Sequence, residues 1–394
     1  MSRSPMWLAG VLALSLAAAG CTSRKVEPAA AVSPATPVSM PYTATKNTTR
    51  INTSDPVAAS VLVSQTLWTG YGQDNRPNGA VLAQSGDWPV AAASASLIHF
   101  PMNGPVLFTE PGSLSEKAAA ELKRLAVIAG DSKSFTVVLA GKWDGALVDQ
   151  VKKAVPSKTV TLEAASPAAF AKAVDSYYTK ESGQKPEDVL IGSLDSPSYT
   201  LPAVNWIAHM AAPLLYTGKD QLPAETVEAL KLRNGTARIY LLGPEAVISS
   251  AVEKELRAYG QVVRIGADSK NSAAFSAAFA SFRDDAGGFG WDLNSAGRNV
   301  SVVPDGGYDL AVAAAPFSHL GKHAPMLWSQ SGRLPTETAD LLHSIKPVYK
   351  TTPAAGPFNH AWLTGSEEAL SRTVQEQVDD LLEIVSASGG EHKH

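Results

Sequence analysis

Cysteine is nearly missing from this sequence. Its 394 residues include one, Cys21, so no disulfide within the chain can hold a fold together. Charge is sparse as well. Charged residues make up 18% and the net charge is −4, which leaves no electrostatic footprint for nucleic acid. The common catalytic signatures are absent too: no Gly-x-Ser-x-Gly elbow, no His-Glu-x-x-His, no phosphate loop ending in Gly-Lys-Ser/Thr, and no Gly-x-Gly-x-x-Gly after an opening strand. The expectation is a protein that is not an enzyme and uses neither a cofactor nor a metal. What remains is 45% hydrophobic and too long for one core, so two or three domains are expected.

Residues 1–20 read as an export signal. Arg3 supplies a positive start, and MWLAGVLALSLAAA is an apolar run too short for a comfortable membrane span. The run ends in Ala18-Ala19-Gly20-Cys21, which resembles the lipobox of bacterial lipoproteins. That resemblance implies cleavage before Cys21, lipidation of its sulfur, and an extracytoplasmic protein anchored to the membrane by lipid. A plain secretion signal with a stray cysteine is the blander reading. Residues 21–49 are rich in Pro, Ala, Ser and Thr and lack the apolar periodicity needed to pack, so a disordered tether is expected there. The tail 390–394 reads the same way.

The rest of the chain repeats itself. GPVLFT, AAPLLYT and HAPMLWS place Pro105, Pro213 and Pro325 at intervals of 108 and 112 residues, and His99, His209 and His319 are 110 apart. Each strand of this kind follows an earlier strand, an aromatic turn (Trp88, Tyr199, Tyr308) and a small-residue helix. Each precedes an amphipathic helix and a strand closed by Gly141, Gly243 or Gly365. Further helices follow, starting with Asp144, Glu245 and Glu367 near their N-termini. Strand and helix alternate with short loops, which predicts parallel sheets covered by helices on both faces. The units fall at 50–165, 166–268 and 269–389.

These residues resemble the cell-wall-binding repeat type 2 family. Arg264-Ile265-Gly266-Ala267-Asp268 matches the opening of a family unit, Arg50-Ile51-Asn52 resembles it, and Leu241 to Ser249 (LLGPEAVIS) matches the closing turn. Asp87 and Asp309, with Ser198 in the second unit, stand near the family's Asp. The resemblance implies an α/β fold of three Rossmann-like parallel-sheet repeats around a pseudo-threefold axis, a monomer that is an internal pseudo-trimer. It also implies non-covalent binding of an anionic secondary polymer or other cell-wall polysaccharide.

In that family the proline-led strand is associated with the polymer, which makes Pro105, Pro213 and Pro325 candidates. The strand ends add Phe108 and Thr109, Tyr216, Thr217 and Lys219, and Trp328 and Ser329. Rings beside hydroxyls suit sugars, and ligands of open α/β sheets sit beyond the strand ends. The simpler reading makes the middle residues core and the rings covers for helix ends. An anionic polymer wants cations, and Lys142, Lys219, Arg233 and Lys322 are the candidates. The three histidines are read as helix-end residues rather than a metal site. Trp143 and Trp362 are expected to pack one lobe on another. Two other functions fit the same features: a lipoprotein that captures a small solute between lobes, and an envelope scaffold that binds another protein.

Overall fold

The computed structural model describes residues 40–131 and 133–388. The expected signal segment, Cys21 and the tail 390–394 lie outside these residues. So does most of the expected tether, but its last part is folded. A hairpin of β1 (Tyr42–Ala44) and β2 (Thr48–Ile51) stands where a disordered segment was expected. Composition misled here because the run is Thr-rich and β-branched. Thr48, Arg50 and Ile51 are fully buried by partners far along the chain.

The first unit continues with α1 (Pro56–Leu67), β3 (Gly79–Gln84), α2 (Trp88–Ser94), β4 (Val106–Thr109), α3 (Glu116–Ile128), β5 (Thr136–Ala140), α4 (Gly145–Ala154) and β6 (Lys158–Leu162). The second has α5 (Pro167–Ser182), β7 (Asp188–Ser193), α6 (Pro197–Thr200), α7 (Ala203–Ile207), β8 (Leu214–Thr217), α8 (Ala224–Lys231), β9 (Ala237–Leu242), α9 (Ser250–Leu256) and β10 (Gly260–Ile265). The third has α10 (Ser272–Ser281), β11 (Asn299–Pro304), α11 (Tyr308–Ala314), β12 (Met326–Ser329), α12 (Thr336–Ser344), β13 (Val348–Tyr349), β14 (His360–Thr364), α13 (Arg372–Leu382) and β15 (Val385–Ser386).

These elements make three lobes. The first sheet runs β4-β3-β5-β6 and the second β8-β7-β9-β10, parallel throughout. The third runs β12-β11-β14, and its fourth parallel place is taken by β2, from the start of the folded chain, with β1 antiparallel outside it. Thus β2 belongs with the third lobe in space, although Arg50-Ile51 opens the first unit in sequence. Arg50 shows why the equivalence holds. It pairs across from Leu363 as Arg264 pairs across from Leu241, and each guanidinium donates to the carbonyl of the glycine that closes the neighbouring strand, Gly365 or Gly243.

The lobes close into a ring. α5 packs on α2 of the first lobe, α10 on α6 of the second, and α1 on α11 of the third, so every lobe is clasped by the opening helix of the next unit. The small-residue helices meet at the centre, where Ala91, Ala203 and Ala311 are fully buried. One apolar core runs from Ile51 through all three lobes to Trp362, and a second, smaller one lies under α12 and α13. Continuous apolar runs such as Val81-Leu82-Ala83 suit strands covered on both faces.

Local chemistry fixes the connections. Gly141, Gly243 and Gly365 all adopt positive φ (88°, 95° and 151°), where a side chain would be strained. Asp144 caps α4 by accepting from Leu147 N at 2.8 Å, as expected. The later two helices start later than expected. Glu245 and Glu367 lie in a preceding turn, and Ser249 and Ser371 are the caps. Trp143 and Trp362 stay within their own lobes: Trp143 donates to Ala140 O at 2.9 Å, and Trp362 stacks on Phe317 at 4.5 Å.

Candidate functional site

The proline-led strands have a clear structural use. Pro105, Pro213 and Pro325 sit just before β4, β8 and β12, where a missing N–H costs nothing. Each carbonyl accepts from a backbone N–H of the neighbouring strand, that of Val81, Leu190 or Ser301.

The strand-end candidates are placed away from solvent. Phe108, Thr109, Tyr216, Thr217, Trp328 and Ser329 are all fully buried. The rings point across lobe boundaries. Tyr216 Oη donates to Pro89 O of the first lobe at 2.6 Å, and Trp328 Nε1 donates to Ser198 O of the second at 2.7 Å. Phe108 carries no polar atom; at the corresponding boundary Asp309 Oδ2 accepts from Gly86 N at 2.7 Å. The hydroxyls tie down the loops behind them: Thr109 donates to Ser113 O at 2.6 Å, Thr217 to Gln221 O at 3.1 Å, and Ser329 to Gln330 O at 3.1 Å. Lys219 alone of the candidates is exposed, beside Asp195, whose Oδ2 accepts from the Lys219 backbone N at 2.9 Å. Arg233 does not face a ligand. It is buried and forms a two-bond pair with Asp175, both bonds 2.9 Å. Lys322 lies 5.1 Å from the centre of the Trp362 ring.

Open space lies just beyond these residues, at the carboxyl ends of the sheets. A crevice of 620 Å³ in the third lobe is bounded by the Pro304–Leu310 turn, Gln330, Ser331 and Ser54. The first lobe has a crevice of 450 Å³ at the same place, bounded by Gln84, Asp87, Pro111, Gly141 and Lys142. In the second lobe Tyr199 lies over Gly243, where the first lobe has the smaller Val90 over Gly141. Tyr199 therefore corresponds to Val90, while Trp88 and Tyr308 match each other as first residues of their helices.

Asp87, Asp305 and Asp309 border this face, and Lys142 also lines the first-lobe crevice. Asp305 borders two neighbouring crevices of the third lobe and accepts from Ser198 Oγ of the second lobe at 2.7 Å. Burial pushes the Asp87 and Asp309 carboxyls above their ordinary range, and the charge of Asp87 adds to the rise at Asp309. Sequence reasoning missed Asp305. The Asp-Gly-Gly turn after β11 was the available signal.

At the other end of the strands, histidines gather near the axis. The His99 and His319 rings lie 4.8 Å apart, and His209 Nε2 is 3.3 Å from His323 Nδ1. Burial, with neighbouring imidazoles, lowers both His209 and His319 to about 4. Among the described residues no three His, Cys, Asp or Glu side chains are grouped to hold a metal ion. No described helix is long and apolar enough to cross a membrane.

The architecture has solved counterparts. Cwp6 from Clostridium difficile superposes with a TM-score of 0.70 at 14% identity, covering 86% of this chain and 48% of that one. Cwp8 from Clostridium difficile gives 0.65 at 15% identity, covering 85% and 52%. The likeness at these identities is one of fold. The chain spans about half the length of each. Neither protein-family models nor curated proteins show a match to the sequence.

Proposed function

We propose that this protein is a non-catalytic, extracytoplasmic binding protein that holds a cell-wall glycan against the strand-end face of its three-lobed ring. One observation carries the reading: the first and third lobes open a crevice at the same position of the fold, where open α/β sheets take ligands. Volumes of 450 and 620 Å³ lie within the range of ligand clefts. The likeness of the fold to Cwp6 and Cwp8 and the resemblance to cell-wall-binding repeats support the same assignment. The chemistry narrows the ligand. Asp87, Asp305 and Asp309 can accept hydrogen bonds from sugar hydroxyls, and the ring of Tyr308 offers a face for sugar C–H groups. A strongly anionic segment would meet like charge, so a hydroxyl-rich, weakly charged segment suits this face. Two equivalent crevices on one rigid body raise retention through avidity. A lipid on Cys21 would fix the protein at the membrane and complete a link from membrane to wall.

The test is sedimentation of the full chain with purified cell walls, before and after removal of covalently attached polymers. Intact walls should pellet the protein, and Tyr308→Ala with Gln330→Ala should weaken pelleting about tenfold without loss of fold. Loss of binding on stripping identifies a wall-linked polymer, and binding that survives identifies peptidoglycan. Failure to pellet with either preparation sinks the proposal and turns attention to a small solute or a protein partner.

A further inference from the structure

Between the second and third lobes, at the amino ends of the strands, lies a cleft of 260 Å³ unlike the strand-end crevices. Its walls include Trp206 and His209 from the end of α7, His323 and Pro325 ahead of β12, and Arg283, Trp291 and Arg298. The last three come from residues 282–298, the connection from α10 to β11. The corresponding connection in the second lobe is only 183–187.

This longer connection is built rather than loose. Asp284 and Phe289 pair as an antiparallel bridge. Phe289 stacks on Tyr240 of the second lobe at 3.7 Å, and Asp284 accepts from Tyr240 Oη at 2.9 Å. Trp291 in turn stands edge-on to Trp206 at 5.1 Å and stacks on His209 at 5.3 Å. A chain segment of the third lobe thus reaches onto the second and walls the cleft with aromatic rings.

Its electrostatics oppose those of the strand-end face. No carboxylate lines the cleft. Arg298 is exposed and has no ion-pair partner among the described residues. Arg283 pairs with Asp285 at 3.0 Å, but Asp285 is 93% exposed, so that pair is weak and easily exchanged.

We propose that this cleft binds a single sugar unit bearing a carboxylate or phosphate group. The rings take the sugar's C–H face, the arginines take the anion in paired hydrogen bonds, and the volume fits one unit rather than a chain. The site goes beyond the wall-binding reading, because it lies at the opposite ends of the strands and shares no residue with the crevices there.

Calorimetry on the full chain tests it with four probes: glucuronate, glucose 6-phosphate, glucose and inorganic phosphate. Saturable binding of one or both acid sugars near about 1 mM is expected, with glucose and inorganic phosphate at least about tenfold weaker. The two acid sugars separate a carboxylate from a phosphate preference. Arg298→Ala should lose about tenfold in affinity, while Arg298→Lys keeps part of it, since the charge remains but the paired geometry goes. Trp291→Leu should weaken binding with both arginines in place. The proposal is overturned if neither acid sugar saturates, if Arg298→Ala binds as well as the native chain, or if inorganic phosphate matches glucose 6-phosphate. Wall sedimentation of Arg298→Ala separates the two readings, because the strand-end crevices are untouched by that change.

Discussion

Arg50 illustrates how a single side chain acts in this protein. It is fully buried and donates to Gln375 Oε1 at 2.9 Å, Gly365 O at 2.9 Å, Ser366 O at 3.2 Å and Ser371 O at 3.3 Å. It satisfies carbonyls at a strand end and a helix start. Arg264 does the same for the second lobe with Glu253 as its partner, and Thr161 stands at the matching place in the first. Arg50→Ala should therefore cost about 3 kcal/mol of unfolding free energy, from orphaned carbonyls and a cavity together. Urea denaturation would show it, and a loss below about 1 kcal/mol would contradict the assignment. The resemblance located Arg50 and Arg264 as motif residues. Their use, joining adjacent strands and helices, was hidden because only the fold brings their partners beside them, Gly243 and Glu253 for Arg264 and, from far along the chain, Gly365 and Gln375 for Arg50. Phe108, Tyr216 and Trp328 were hidden for the same reason. A ring at a strand end looks available until another lobe covers it.

At the scale of elements, β2 is the joint that closes the ring. It lies between β1 and β14, with Thr49 opposite Ala44 on one side and Trp362 on the other. A proline there removes an N–H and disturbs both ladders. Thr49→Pro should destabilise the protein by about 3 kcal/mol. Amide exchange should then accelerate more in β14 than in β3 of the first lobe, and equal acceleration in both would count against a local closure. The alternating strands and helices of all three units were legible from apolar spacing. β2 was not, since a Thr-rich run with a buried arginine has the composition of a linker. The helix starts at Ser250 and Arg372 were misjudged because Glu245 and Glu367 lead with an acidic turn, and only backbone geometry shows that Ser249 and Ser371 are the caps. The cleft beneath Trp291 was invisible because residues 282–298 are longer than the matching connections of the other repeats, 68–78 and 183–187, and offer no repeat pattern to read.

For the whole molecule, the lobes share one core and a histidine cluster near its axis. His209 and His319 are held near 4 by burial, whereas an unfolded histidine titrates near 6.5. The unfolded chain then binds more protons between those values, so stability is full above about pH 6.5 and is lost as pH falls toward 4. His99, depressed by burial, adds to the same trend, and His323 adjoins His209. Thermal melts at pH 7.5 and pH 5 should differ by several degrees, and His209→Gln with His319→Gln should narrow the gap. A melting temperature that is flat across that range in the native chain would refute the coupling. The aromatic contacts of Tyr216 and Trp328 across lobe boundaries belong to this scale as well. They explain why the same strand recurs three times: each copy begins a sheet ladder with its proline and presents its end residue to a neighbouring lobe.

The borrowed strand has a topological consequence. Because β2 fills in the third lobe the place that β6 and β10 fill in the first two, no lobe is intrinsically first. The two ends of the folded chain also meet, with Lys46 Nζ 2.7 Å from Glu383 Oε2 and Asn47 N 2.7 Å from Asp379 Oδ1. The fold is therefore a closed circuit that happens to be interrupted before β1. A circular permutant with its ends joined and its break moved to just before β6 or β10 would trace the same ring, with a different strand serving as the clasp.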